Sequence, residues 1–195
     1  MKLQLRGVMG NLFRWVLLGF ALFACAGPGG AQTNLTKAPL KWNSIRRGHQ
    51  GTLFPRTIEA LQYLLRARGV YSGKPNGVFD AKMVGAIKAF QKKNGLIVDG
   101  ILGSQTLPKL VPILRKGAKG DAVRAAQILV LHVTDHIGGQ PNEGLLVDGV
   151  FGAKTQEAVK TAQECLNFPE ERLTANGIMD RRTWCILLDG DVIIP

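Results

Sequence analysis

An eight-residue phrase occurs four times in this 195-residue chain and constrains its fold more than any other feature. The copies are Asn76–Met83, Asp99–Thr106, Asp148–Thr155 and Asn176–Thr183. Each reads Asp or Asn, then Gly, a β-branched residue, a large apolar residue, Gly or Asp, two variable positions, and Thr (Met83 in one copy). A recurring phrase of this kind marks a repeated supersecondary unit. The Asp/Asn-Gly pair makes a turn whose Gly accepts positive φ without a Cβ clash. The next two residues are short extended positions, the larger one directed at the core. Asp80 and Asp180 then stand where a helix begins and are suited to N-capping, with Ser104 in a similar place.

Helical periodicity surrounds these phrases. Residues 80–93 put Met83, Ile87 and Phe90 on one face, and Asn94-Gly95 stops them. Residues 153–166 do the same with Val159, Ala162 and Leu166. Shorter helices follow the other two phrases, with Leu107 and Leu110 inward in one and Trp184, Leu187 and Leu188 in the other. Before each pair of phrases lies a further amphipathic segment. Residues 55–68 present Ile58, Leu61 and Leu65, while 121–133 present Val123, Ala126 and Val130, with Asp121 as the expected cap. Gln62 and Gln127 occupy matching places. The predicted fold is mainly α: two tandem three-helix modules with short Asp/Asn-Gly turns or hairpin-like extended segments. The first spans 42–111 and the second 112–190, with a tail at 191–195.

The N-terminal residues read differently. Lys2, Arg6 and Arg14 precede the uncharged apolar run Trp15–Ala24, which is too short to span a bilayer. This is the pattern of a secretory signal, expected over 1–31, followed by a flexible linker at 32–41. Cleavage fits at Ala24-Cys25-Ala26 or near Ala31. The alternative is a lipoprotein signal ending before Cys25, which would then be lipidated, although Phe23 is bulkier than the residue usual there. Either route places the mature chain outside the cytoplasm, secreted, wall-associated or lipid-anchored. In that oxidising setting Cys165 and Cys185 form an even pair, expected as a disulfide within the second module, the alternative being two buried thiols.

Charge divides the chain. Residues 37–110 carry thirteen Lys and Arg against three acidic residues, whereas 111–195 carry nine against eleven. The first half is therefore the one that polyanions would feel. Catalytic patterns are missing. His132-x-x-Asp135-His136 has two His at zinc-ligand spacing but no Glu between them, so no metal or cofactor is expected. Neither Cys stands in a nucleophile motif, and Asp99 and Asp148 are turn residues. Nucleic acid as a partner conflicts with export and with the lack of an aromatic stacking series.

Taken together, these motifs resemble the peptidoglycan-binding domain family, three-helix modules appended to bacterial cell-wall hydrolases. The resemblance rests on Leu61-Gln62, Gly77, Phe79, Phe90-Gln91, Gly95-Leu96, Asp99-Gly100, Gly103 and Thr106 in the first half. In the second it rests on Gln127, Asp148-Gly149, Phe151-Gly152, Thr155, Gln163, Gly177 and Thr183-Trp184. The second half departs in Ala162 for Phe and in longer segments before Asp148 and Asn176. The resemblance implies an exported, non-catalytic protein that binds peptidoglycan or an associated anionic wall polymer. The alternative is an interaction protein that inhibits a wall hydrolase or delivers it to the wall. Such a binder needs exposed aromatics for sugar faces and cations for carboxylates or phosphates. The candidates are Trp42, Arg66, Arg68, Tyr71, Lys74, Lys92 and Lys93.

Overall fold

The computed structural model describes residues 40–46, 55–137, 144–166 and 173–188. The expected export signal over 1–31, Cys25 and the expected 191–195 tail lie outside these residues. Six helices are described: α1 (Pro55–Ala67), α2 (Ala81–Lys93), α3 (Leu107–Leu110), α4 (Asp121–Ile137), α5 (Ala153–Cys165) and α6 (Arg181–Leu188). The expected mainly helical architecture is present. Among the described residues the extended positions form three isolated antiparallel bridges, Ile45 with Leu102, Leu114 with Met179, and Lys119 with Val150. Leu102 and Met179 are the large apolar residues of their phrases, and both are fully buried.

Every phrase makes the same turn. Its Gly has φ of 72° at Gly77, 76° at Gly100, 80° at Gly149 and 68° at Gly177. The preceding Asn or Asp Oδ1 accepts from the N–H two residues on, from Val78, Ile101, Val150 and Ile178 in turn. A buried glutamine one helix earlier then grips each turn. Gln91 in α2 donates Nε2 to Asp99 Oδ1 (2.7 Å) and to the Ile101 carbonyl (2.9 Å), while its Oε1 accepts from Gly100 N (2.9 Å). Gln62, Gln127 and Gln163 repeat the clasp on Gly77, Gly149 and Gly177. Three of the four also donate to the Thr that ends the phrase, Thr106, Thr155 and Thr183. The first copy has Met83 there, and Gln62 donates to Asn76 and to the Val78 carbonyl.

Capping follows the phrase. Asp80 Oδ1 accepts from Met83 N and Asp180 Oδ1 from Thr183 N, both at 2.8 Å. Ser104 does not act as a cap: α3 starts from Thr106, whose hydroxyl is taken by Gln91. Asp121 is likewise no simple cap. It is the first residue of α4, and its carboxylate meets Arg66 and Arg124.

The expected inward residues are all buried, and a second stripe is buried with them. In α1 this is Thr57, Ala60 and Leu64; in α4 it is Ala125 and Leu129. With two buried stripes, α1 packs against α2 and α4, and α4 against α1, α5 and α6; α1 and α4 form the most extensive helix–helix contact among the described residues. Residues 37–195 thus constitute one unit, with the halves joined through equivalent helices. Arg66 of α1 fastens the junction with a two-pronged ion pair to Asp121, Nε to Oδ2 at 2.6 Å and Nη2 to Oδ1 at 2.8 Å. This geometry matches the guanidinium fork to the carboxylate.

The expected Cys165–Cys185 disulfide is not formed; both residues are thiols. The reason lies in α6, which is buried along Arg182–Leu188, so that Cys185 is enclosed and its Sγ lies 3.2 Å from the Lys41 carbonyl. That contact turns it to the N-terminal segment rather than to α5. α4 runs further than expected, to Ile137, so His132 and His136 fall within one helix. No group of three metal-ligating side chains exists among the described residues, and no described helix is long and apolar enough to cross a membrane.

Replacing Gln91 with Ala removes four hydrogen bonds and leaves the buried Gly100 N–H without an acceptor. The expected loss is about 2–4 kcal/mol of unfolding free energy, read by urea denaturation. A loss below about 0.5 kcal/mol would show that the clasp does not hold the turn.

Candidate functional site

The exposed face of α2 differs in kind from the other helical surfaces. Its outward residues are Ala81, Lys82, Gly85, Lys88, Ala89, Lys92 and Lys93. Helical spacing puts the small residues Ala81, Gly85 and Ala89 in one row that ends in Lys93, with Lys82 on one flank and Lys88 and Lys92 on the other. α2 contains no acidic residue. Lys93 lies eleven positions after Lys82, so the cationic strip is about 16 Å long at about 1.5 Å per residue. A Cβ built on Gly85 would meet nothing within 4 Å, so the strip is flat and open there.

At the N-terminal end of this face a shallow groove of about 310 Å³ begins beside Ala81 and Val84 and is bounded by Arg46, Asp99 and Ile101. The Asp99 carboxyl is held below its ordinary value, first by the Ile101 N–H that it accepts and then by Gln91, with Lys88 adding a favourable charge. It is therefore ionised, and the groove presents a fixed anion, with Arg46 in the same lining and Lys88 near enough to favour the charge. Such an arrangement can meet a group carrying both charges, or an anion through its cationic rim.

The sequence-derived candidates fall into three places. Lys92 and Lys93 stand on the α2 strip. Tyr71 and Lys74 belong to the loop before the first phrase, with Lys74 exposed and Tyr71 buried. Gly73 lies against the Tyr71 ring, where an added Cβ would come within 2.7 Å, and the Lys82 ammonium stands 5.8 Å from the ring centre. Burial and the nearby Asp80 raise the Tyr71 hydroxyl pKa. Arg66 and Arg68 sit at the junction. Arg66 pairs with Asp121, which raises its pKa and lowers that of the carboxylate. Arg68 donates to the Leu110 carbonyl from Nε (2.9 Å) and Nη2 (2.7 Å), closing the end of α3. Trp42 is half-buried against the core. The sequence reading passed over Lys82, Lys88 and Arg46. The signal was the unbroken absence of acidic residues through AKMVGAIKAFQKK, with every outward polar position a lysine.

Residues 56–110 match the family described as "Putative peptidoglycan binding domain". The matched stretch holds α2, its lysine strip and the lining of the Asp99 groove apart from Arg46. Among curated proteins, the chain is similar to a spore cortex-lytic enzyme of Bacillus cereus, 40% identical over 67 residues, covering 34% of this chain and 24% of that protein. It is also similar to N-acetylmuramoyl-L-alanine amidase CwlM of Mycobacterium tuberculosis, 33% identical over 118 residues, covering 54% of this chain and 26% of that one. The chain thus spans about a quarter of the length of these relatives. No solved structure matches the chain.

Asp99 and Asp148 are both held below the ordinary 3.8, Asp99 chiefly by the Ile101 N–H and Asp148 chiefly by Gln127. A carboxylate depressed in the folded state adds stability above its unfolded pKa, and that stability is lost as pH falls through the folded value. Asn already does this work at positions 76 and 176. Converting both residues, Asp99→Asn and Asp148→Asn, is expected to leave melting near pH 7 almost unchanged. The same change should flatten the fall in melting temperature below about pH 4, measured by circular dichroism. An unaltered acid limb would show that other groups govern acid unfolding.

Proposed function

We propose that this protein is exported and binds the bacterial cell wall without cleaving it, making contact through the first half. The observation that carries this reading is the family match at 56–110, which spans the cationic strip and all of the adjoining groove's lining except Arg46. The physical argument is complementarity. Peptidoglycan carries peptide carboxylates, and associated wall polymers carry phosphates. Lysines on a flat helical face meet such anions without first having to break ion pairs within α2. The small residues between them let a polymer approach the helix closely. The corresponding face of α5 has Lys154, Glu157, Lys160 and Glu164, with Lys160 and Glu164 3.8 Å apart. Its charges largely cancel, so the second half adds little electrostatic attraction.

Binding without cleavage is favoured by the extent of the similarity. It covers about a quarter of each lytic relative and so does not carry their whole activity across. The matched domain also supports association with the cell wall as the place of action. Delivery or inhibition of a wall hydrolase is the second reading, and it would use the same surfaces.

Co-sedimentation with purified sacculi tests the proposal. The wild-type chain is expected to pellet with the wall at low salt and to be released as salt rises, because exposed charges are screened beyond a Debye length of about 8–10 Å. The triple variant Lys88→Glu, Lys92→Glu, Lys93→Glu should bind roughly tenfold more weakly at low salt. Release of reducing sugar or free amines from the wall would overturn the non-catalytic part. Failure of the wild type to pellet would overturn the rest.

Gly85 offers a separate check on the strip. It lies mid-helix in open space, so Gly85→Ala should stabilise the fold by about 0.5–1 kcal/mol. If the wall contacts the helix surface at Gly85, the same change should weaken sacculus binding despite the added stability.

A further inference from the structure

A second cleft, also of about 310 Å³, opens where the two halves meet. Both halves build it: Leu64 and Ala67 from α1, Leu110 from α3, and Pro112, Leu114 and Ala122 beyond. We propose that this junction cleft binds the carboxylate end of a short alanine-containing peptide, with the Lys119 ammonium receiving the carboxylate. The proposal rests on the wall-binding reading and names a part of the wall, the stem peptide, as the ligand.

The charge distribution selects an anion. Asp121, the one carboxylate among the described lining residues, is taken up by Arg66 and Arg124. Arg68 also lines the cleft, its N–H groups closing the end of α3. Lys119 is exposed, and its ammonium has no hydrogen-bond or ion-pair partner among the described residues. An anion entering the cleft therefore meets an available cation and no competing carboxylate.

The lining also selects what accompanies the anion. Among the described lining residues no aromatic ring is present to stack on a sugar, and the small and branched apolar side chains suit methyl groups. The volume lies at the lower end of ligand pockets, enough for a fragment about two residues long. The walls are already fixed, so little ordering is required on binding. Arg68 holds the Leu110 carbonyl, and Trp184 Nε1 holds that of Pro112 at 2.7 Å. Leu114 is bridged to Met179 and Lys119 to Val150, while Gly120 N donates to the Gly149 carbonyl at 2.8 Å. Each of these contacts ties a wall of the cleft to a turn or helix.

The test titrates the full chain, by NMR, with N-acetyl-D-alanyl-D-alanine and with its C-terminal amide. The acid should shift amides around Ala67 and Lys119 and saturate, and the amide should bind at least tenfold more weakly. Lys119→Ser should weaken the acid about tenfold. Ala67→Trp, at an exposed position on the last turn of α1, should fill the cleft and abolish binding. Unchanged melting of both variants is the control. Equal titration by acid and amide, shifts confined to the α2 face, or no binding would overturn the proposal. Sacculus binding is read separately. Wild-type chain that pellets with the wall but ignores the peptide sinks this inference alone, whereas chain that fails to pellet sinks the wall reading.

Discussion

The buried glutamine clasp is the interaction on which the rest of this structure depends. Turns that belong to no sheet have backbone N–H and C=O groups with no ladder to satisfy them, and a buried orphan of this kind is costly. A glutamine side chain is an amide like the backbone, so one residue supplies both the missing acceptor and the missing donor. Gln62, Gln91, Gln127 and Gln163 each do this from inside a helix, at 1% exposure or less. The clasp fixes the turn to the helix before it, and the turn aims the next helix. Because the side chain of the first turn residue serves only through its Oδ1, Asp and Asn interchange there, and only the Asp copies bring sensitivity to acid.

The junction of the halves follows from the same repeat. Equivalent helices α1 and α4 each bury one stripe within their own half and a second stripe between the halves. Ala60 and Ala125, both with no exposed surface, are the smallest side chains of the second stripes. A chain segment the size of either half encloses a limited core by itself, and the single unit over 37–195 has the larger apolar interior. The arrangement also decides the fate of charges. Arg66 and Arg68 are committed to Asp121 and to the end of α3, and so serve the join rather than the outer surface.

Much of the fold was legible because the phrase repeats and the helical periodicity agrees with it. The capping by Asp80 and Asp180 and the inward sets of α2 and α5 could be read locally. The clasp was less visible. The four glutamines precede their turns by 14, 8, 21 and 13 residues, and this uneven spacing hides a common geometry. The second stripes of α1 and α4 were present as extra apolar residues, but which helix covers them is a long-range fact. The same holds for Arg66, whose partner lies 55 residues on. Cys185 was misjudged because its neighbour is the Lys41 carbonyl, 144 residues away in sequence, rather than the adjacent helix. Tyr71 reads as a surface aromatic in a Gly- and Lys-rich loop, yet Gly73 and Lys82 enclose it.

The division between buried and exposed positions explains how one scaffold can present two different surfaces. The repeat dictates the glutamines, the turn glycines and the large apolar residues, and nearly all of these are enclosed. Outward positions on α2 and α5 carry no such duty and are free to differ. In α2 they hold four lysines around a row of Ala and Gly; in α5 they hold lysines balanced by glutamates. The glycine is the informative member of that row. Gly85 has open space above it and no positive φ, so neither packing nor backbone geometry calls for it, and a mid-helix glycine costs stability relative to alanine. A residue that weakens its helix with no structural return fits a surface shaped by what must approach it. On the proposed reading that visitor is the anionic wall polymer, lying along the lysine strip with its closest contact at Gly85.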